Sequence, residues 1–184
     1  MKYGGSNLKV KLIVTGPFSS GKTEFISRIS EIDPITTEKR MTNPDEISKG
    51  GKEFTTVAMD FGRITVDEEL VLYIFGTPGQ DRFRFMTSLL KEGALGAVVL
   101  VDSTDERSLA EGKEIADALK REGITYIVAA NKQDLPNAIP PEDVREVMGE
   151  EHVVPCIAKD KESVKEVVLT LLYRILEEMA DEES

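Results

Sequence analysis

Residues Gly16-Pro17-Phe18-Ser19-Ser20-Gly21-Lys22-Thr23 match the spacing G-x-x-x-x-G-K-[ST] without a gap. Each part of that pattern has a chemical reason. Glycines let the backbone turn tightly and aim N–H groups into one concavity, an anion nest when a helix begins there. Lys22 can then reach the β- and γ-phosphates of a nucleotide, and the Thr23 hydroxyl can ligate Mg2+. The competing reading is a Gly/Ser turn before a helix with no ligand. It is weakened by the flanks, an alternating apolar run over residues 8–15 and a helical pattern from Lys22 onward.

Phosphate binding leaves the base open. Asn131-Lys132-Gln133-Asp134 follows an apolar run at residues 124–130, where the carboxyl end of a buried strand would place it. A carboxylate accepting two hydrogen bonds suits guanine, whose N1–H and N2–H2 form parallel donors. Adenine offers an acceptor and a methine there, leaving the carboxylate unpaired at a cost of about 1–3 kcal/mol. A polar strand-end turn uses the same residue types, so the tetrapeptide gains its force from following the phosphate loop.

These groups need elements to hold them. Residues 8–15, 96–101 and 124–130 read as increasingly buried strands, the last two as continuous apolar runs covered on both faces. Residues 57–66 and 70–75 flank Asp67-Glu68-Glu69 as an antiparallel hairpin, and residues 152–157 form a sixth strand weakened by Pro155. Helical patterns cover residues 22–30, the stretch after a capping box at Ser103-Thr104-Asp105-Glu106, residues 141–148 with Pro141 in the first turn, and residues 161–180. In the last of these, Val164, Val167, Val168, Leu171, Leu172, Ile175 and Leu176 form the apolar face. Alternating strands and helices imply an α/β fold, a mostly parallel six-stranded sheet with helices on both faces. Residues 31–53 fit neither pattern: they are polar, contain Pro34 and Pro44, and include Gly50-Gly51. Structureless loops of that length tend to be functional.

With the phosphate loop and guanine motif in this order, the chain resembles the Ras-like small GTPase family over nearly its whole length. Thr55-Thr56-Val57-Ala58-Met59-Asp60-Phe61 resembles the switch I threonine and following strand of Rab-type members. Residues 76–84, beginning Gly76-Thr77-Pro78-Gly79-Gln80, resemble their switch II, and Ile157-Ala158-Lys159 sits where the family has Ser-Ala-Lys. The resemblance implies a three-layer G domain over residues 1–184, with one antiparallel edge strand and about five helices. It turns residues 31–53 into switch I, ordered around GTP.

The resemblance also implies roles. Gly16, Ser19, Ser20, Gly21, Lys22, Thr23 and Glu24 bind the nucleotide's phosphates. Thr56 ligates Mg2+ with Thr23 and senses the γ-phosphate, with Thr55 as the neighbouring alternative. Gly79 offers its N–H to that phosphate, and Gln80 orients the attacking water. Asn131, Lys132 and Asp134 hold the guanine, while Ala158 donates its N–H to the guanine carbonyl beside Lys159.

Two positions depart from the family pattern. Switch II in the family begins with an aspartate that holds Mg2+ through water; here that position is Gly76. Bacterial and archaeal relatives, polarity-control GTPases among them, also lack it, so the resemblance points to that prokaryotic-type branch. Asp60 is the candidate replacement. A straight strand would put it about 13 Å from Thr56, so both could serve one ion only if Thr56 belonged to the loop. The third loop position, glycine in Ras-type members, is Phe18, which would crowd an arginine finger and slow hydrolysis.

Composition bounds the rest. The 184 residues suit one domain, and 34 acidic against 23 basic side chains give a net charge of −11. Such a surface repels nucleic acid and anionic membrane. Cys156 and His152 are the sole residues of their types, which excludes an internal disulfide and a zinc cluster. No apolar run reaches membrane-spanning length, and neither a signal peptide nor a lipidation motif is readable, so a cytoplasmic protein without a lipid anchor is expected. The expected function is a GTP/GDP-binding switch with slow Mg2+-dependent hydrolysis and a protein effector or activating partner, roadblock-type by analogy. The alternative is a guanine-nucleotide-binding partner module with negligible turnover. A P-loop ATPase or kinase would require residues 131–134 to be coincidental.

Overall fold

The computed structural model describes residues 7–33, 37–42, 54–78 and 90–184. Eight strands occur among them: β1 (Leu8–Thr15), β2 (Thr37–Thr42), β3 (Phe54–Met59), β4 (Phe61–Thr65), β5 (Leu70–Gly76), β6 (Gly96–Asp102), β7 (Tyr126–Asn131) and β8 (Val153–Pro155). Four helices among the described residues, against about five expected, are α1 (Lys22–Ile29), α2 (Glu106–Arg121), α3 (Pro141–Met148) and α4 (Lys161–Glu182).

Six strands form one sheet in the order β4-β5-β1-β6-β7-β8. All neighbours run parallel except β4 with β5. The expected mostly parallel sheet with one antiparallel edge strand is therefore present. Period-two alternation splits the core into two layers. Val10, Leu12, Val14, Val98 and Leu100 meet Phe25, Ile26, Val164, Val168 and Leu171 from α1 and α4. Ile13, Ala97, Val99 and Val101 face Leu109, Ala116, Leu119, Val144 and Met148 from α2 and α3. Every residue of β6 and β7 is buried, the reason both read as unbroken apolar runs.

Three local expectations change. Residues 31–53 are not a continuous loop: β2 lies within them and pairs antiparallel with β3, Thr37 opposite Met59 and Thr42 opposite Phe54. Threonine and methionine suit a strand once a partner strand supplies the ladder, which the polar composition obscured. The single strand expected over 57–66 is interrupted at Asp60, with β3 paired in a separate two-stranded sheet and β4 in the main one. Helix α2 starts at Glu106, capped by the Asp105 side chain accepting the Arg107 N–H at 3.0 Å. Ser103 is not the cap, because the Asp102 carboxylate captures both the Thr104 N–H and its hydroxyl, holding a turn there.

Turn chemistry elsewhere follows the residues. Asp67 Oδ1 accepts the N–H groups of Glu69 at 2.7 Å and Leu70 at 2.8 Å, closing the hairpin between β4 and β5. Pro141 occupies the first turn of α3, and Gly149 ends it in the left-handed region at φ 64°. Asp160 caps α4 by accepting the Ser163 N–H at 3.0 Å.

Candidate functional site

The phosphate loop leaves the carboxyl end of β1 and enters α1 without an intervening element. Two glycines there are required by geometry. Gly16 has φ +151°, and a Cβ on it would stand 2.1 Å from the Leu100 carbonyl oxygen; Gly21 has φ +106°, and its Cβ would stand 2.5 Å from Asn131 Nδ2. Ser19 also lies at positive φ, 64°, uncommon for a residue with a side chain. The loop is thus pressed against β6 and β7 with the α1 N-terminus open ahead of it. Lys22 Nζ donates to the carbonyl oxygens of Gly16 and Pro17, both at 2.8 Å. Burial lowers its pKa from the ordinary 10.5 to about 8, with the Asp60 carboxylate pulling it partly back up. An anion brought to this cradle gives that ammonium a stronger partner than two carbonyls.

Asp60 lies at the break between β3 and β4 and turns toward this loop. Thr23 Oγ1 donates to Asp60 Oδ2 at 2.6 Å. The Asp60 carbonyl accepts the Gly76 N–H at 2.8 Å, tying the break to the end of β5. Gly76 is closely surrounded: a Cβ would lie 2.9 Å from Ile26 Cδ1 and 3.2 Å from Asp60 Cβ, so both neighbours would have to shift. The carboxylate beside the phosphate loop therefore comes from the neighbouring strand, with glycine at the end of β5 making space for it. Thr77, next in the chain, is buried and donates its hydroxyl to Thr15 Oγ1 at 2.8 Å, fixing the β5 exit against the β1 exit.

The base motif follows β7. Asn131 is buried, and its amide joins two loops: Nδ2 donates to the Ser20 carbonyl at 2.8 Å, and Oδ1 accepts the Ala158 N–H at 2.9 Å. Lys132 has φ 67° and sends Nζ to Asp102 Oδ2 at 2.5 Å. Burial raises the Asp102 pKa, but the Lys132 and Thr104 hydrogen bonds outweigh it and hold the carboxyl below its ordinary 3.8. Gln133 Nε2 donates to Ser103 Oγ at 2.9 Å and the Ile139 carbonyl at 3.0 Å, anchoring the loop from beneath. The Asp134 carboxylate is exposed and accepts no hydrogen bond from the described residues, so it is available to a ligand. Lys159 is likewise exposed.

Most sequence-derived residues thus converge on one edge of the sheet: Gly16 through Glu24, Asp60, Asn131, Lys132, Asp134, Ala158 and Lys159. Three do not enter this description. Gly79 and Gln80 lie outside the described residues, and Thr56 is placed only by its backbone, in β3 opposite Arg40. Thr56 in a paired strand does not meet the loop condition for sharing an ion with Asp60. The Ala158 N–H, expected at a guanine carbonyl, is given to Asn131 here. Sequence reasoning missed Asp102, which orients Lys132; its signal was the Thr104 two residues later, an Asx-turn spacing.

The residues fit a nucleotide phosphate with Mg2+. Glycine cradles that any Cβ would fill, a buried Ser20 hydroxyl with no partner among the described residues, and hard oxygen donors on Thr23 and Asp60 all suit that pair. Fold and site together define a P-loop nucleotide-binding protein of the three-layer α/β class. A family described as conserved hypothetical ATP binding protein matches residues 32–182. The Ras-related protein RABD2a of Arabidopsis thaliana is 30% identical over 182 residues, covering 94% of this chain and 82% of its own. The uncharacterized protein MJ1339 of Methanocaldococcus jannaschii is 31% identical over 127 residues, 69% of this chain and 72% of its own. The Ras-related protein SEC4 of Saccharomyces cerevisiae is 30% identical over 134 residues, 68% of this chain and 62% of its own. The chain belongs to the Ras-like small GTPase superfamily and, over residues 32–182, to the conserved hypothetical ATP-binding family.

Proposed function

We propose that residues 1–184 form one G domain that binds GTP and GDP with Mg2+, hydrolyses GTP slowly, and signals its state to a protein partner through switch I and switch II. The carrying observation is the 2.6 Å bond from the Thr23 hydroxyl to the Asp60 carboxylate at the lip of the phosphate loop. Those two oxygens would hold Mg2+, whose charge offsets that of the β- and γ-phosphates. Lys22 would exchange its two carbonyl partners for phosphate oxygens. Asp134 would take the paired guanine donors, with Lys132 held alongside by Asp102 and Asn131 keeping the base loop joined to the phosphate loop. Gln80 would orient the attacking water, Gly79 would report the γ-phosphate through its N–H, and Thr56 would reach the metal on release from its pairing with β2.

The test is single-turnover GTP hydrolysis of the wild type and Gln80→Ala, beside a Mg2+-dependent GDP titration. Slow hydrolysis that falls at least about tenfold in Gln80→Ala supports the switch. Equal rates in the two proteins reject catalysis by Gln80. They would favour the second reading, a guanine-nucleotide-binding partner module with negligible turnover. Phe18 supports that second reading: it is 69% exposed at the third loop position, where its ring would obstruct an arginine finger.

A further inference from the structure

Helix α4 carries two apolar faces. Val164, Val167, Val168, Leu171 and Ile175 pack into the core beneath β6 and β7. Leu169, Tyr173, Leu176 and Ala180 recur at intervals of four, three and four, forming a second line of residues one above another. At about 100° per residue the two lines are roughly 150° apart, so the second faces away from the sheet. Leu169 is 42% exposed, Tyr173 65%, Leu176 61% and the adjacent Met179 50%. Single exposed apolar residues are ordinary, whereas a line at helical spacing marks a surface built to be covered.

Charge around the line says what would cover it. Residues 175–184 hold no lysine or arginine, while Glu177, Glu178, Asp181, Glu182 and Glu183 surround the distal half of the line. Glu178 is already engaged by Thr125 and Arg174, leaving four carboxylates without a cation from the described residues. The line from Leu169 to Ala180 extends about 16 Å, three helical turns, which matches one face of a single short helix. A second copy would bring another charge of −11. An anionic membrane would be repelled for the same reason. We infer that this face docks a basic amphipathic helix of a partner protein, its apolar residues against Leu169, Tyr173 and Leu176 and its lysines or arginines against the carboxylates after Arg174. Affinity from so short a line would be modest and salt-sensitive, as suits a reversible partner. This inference does not rest on the identity of the nucleotide.

The probe is a labelled 18-residue synthetic helix with leucines at i, i+3, i+4 and i+7 and lysines elsewhere, titrated by fluorescence anisotropy at two salt concentrations. Two control peptides carry glutamate for lysine, or the same residues scrambled to disperse the leucines. The double variant Leu169→Ser/Leu176→Ser provides the protein control, with circular dichroism confirming its fold. Binding of the lysine helix that weakens at least tenfold with either control peptide and with the double variant supports the inference. Equal binding by the scrambled peptide or the double variant overturns it, since charge alone would then suffice. Concentration-dependent dimers in sedimentation that the double variant abolishes overturn it in favour of a second copy. Flotation with phosphatidylserine vesicles that the double variant abolishes overturns it in favour of a membrane.

Discussion

Asp60 and Gly76 form a reciprocal pair. The Asp60 side chain occupies the space that a residue at position 76 would need, and its carboxylate reaches Thr23 at 2.6 Å. Introducing an aspartate by Gly76→Asp would therefore drive Cβ into Ile26 and Asp60. We expect a loss of roughly 1–3 kcal/mol in denaturant unfolding; adding Asp60→Ala keeps the crowding Cβ but removes the facing carboxylate, 3.6 Å from the new Cβ, and should recover part of the loss. Identical stability of the single and double variants would show that the two positions do not compete. Gly16→Ala meets a harder obstacle, the Leu100 backbone carbonyl 2.1 Å from the new Cβ. Its expected cost is at least about 1–3 kcal/mol, with loss of nucleotide binding, because the loop must leave β6 to accept the methyl. Cys156 predicts a null result. Burial pushes its thiol from 9.0 up to about 12, with a Ser163 hydrogen bond opposing this weakly. A raised folded pKa favours the neutral thiol, so its contribution to stability is complete below about pH 9 and is lost as pH rises toward 12. At pH 8 a thiol reagent should modify Cys156 only as fast as the chain unfolds, which matched labelling and unfolding rates would confirm.

The site is made by elements meeting at one sheet edge, and Asn131 at the end of β7 is their joint. Its amide spans the Ser20 carbonyl of the phosphate loop and the Ala158 N–H after β8. Asn131→Ala should cost about 1–3 kcal/mol in unfolding, because both buried partners lose their bond. It should weaken nucleotide binding at the phosphates as well as at the base. Retained phosphate affinity with altered base preference alone would refute the joint. Much of this edge was legible in the sequence. Strands β1, β5, β6 and β7 announce themselves through continuous or alternating apolar runs, and α1, α3 and α4 through helical patterning, with Pro141 marking the first turn of α3. What was hidden depends on partners distant in the chain. Strand β2 is polar and gains its structure from β3, and the interruption at Asp60 exists because β3 and β4 pair in different sheets. The cap of α2 falls on Asp105 because Asp102 holds Thr104 in a turn, a competition between two aspartates that spacing alone did not rank.

At the scale of the molecule, a net charge of −11 opposes a polyanionic ligand. The site resolves this locally. Backbone N–H groups of the phosphate loop, the α1 N-terminus and Lys22 would act on the ligand at contact range, whereas surface charges farther than the roughly 8 Å Debye length of physiological salt are largely screened. No helix among the described residues is long and apolar enough to cross a membrane. Ligand binding should stabilise the whole fold, because a ligand that binds only the folded state shifts the folding equilibrium toward it. With GDP at a thousandfold excess over Kd the gain is about 4 kcal/mol, readable as a rise in Tm that ATP at equal concentration does not match. The most direct test is a titration of fluorescent GDP into wild type and Asp60→Ala, with and without Mg2+, followed by competition with ATP. The account predicts that Mg2+ tightens GDP binding to the wild type at least about tenfold, that Asp60→Ala abolishes this gain, and that micromolar ATP leaves GDP bound. Displacement by micromolar ATP, or an equal Mg2+ effect in both proteins, would contradict it.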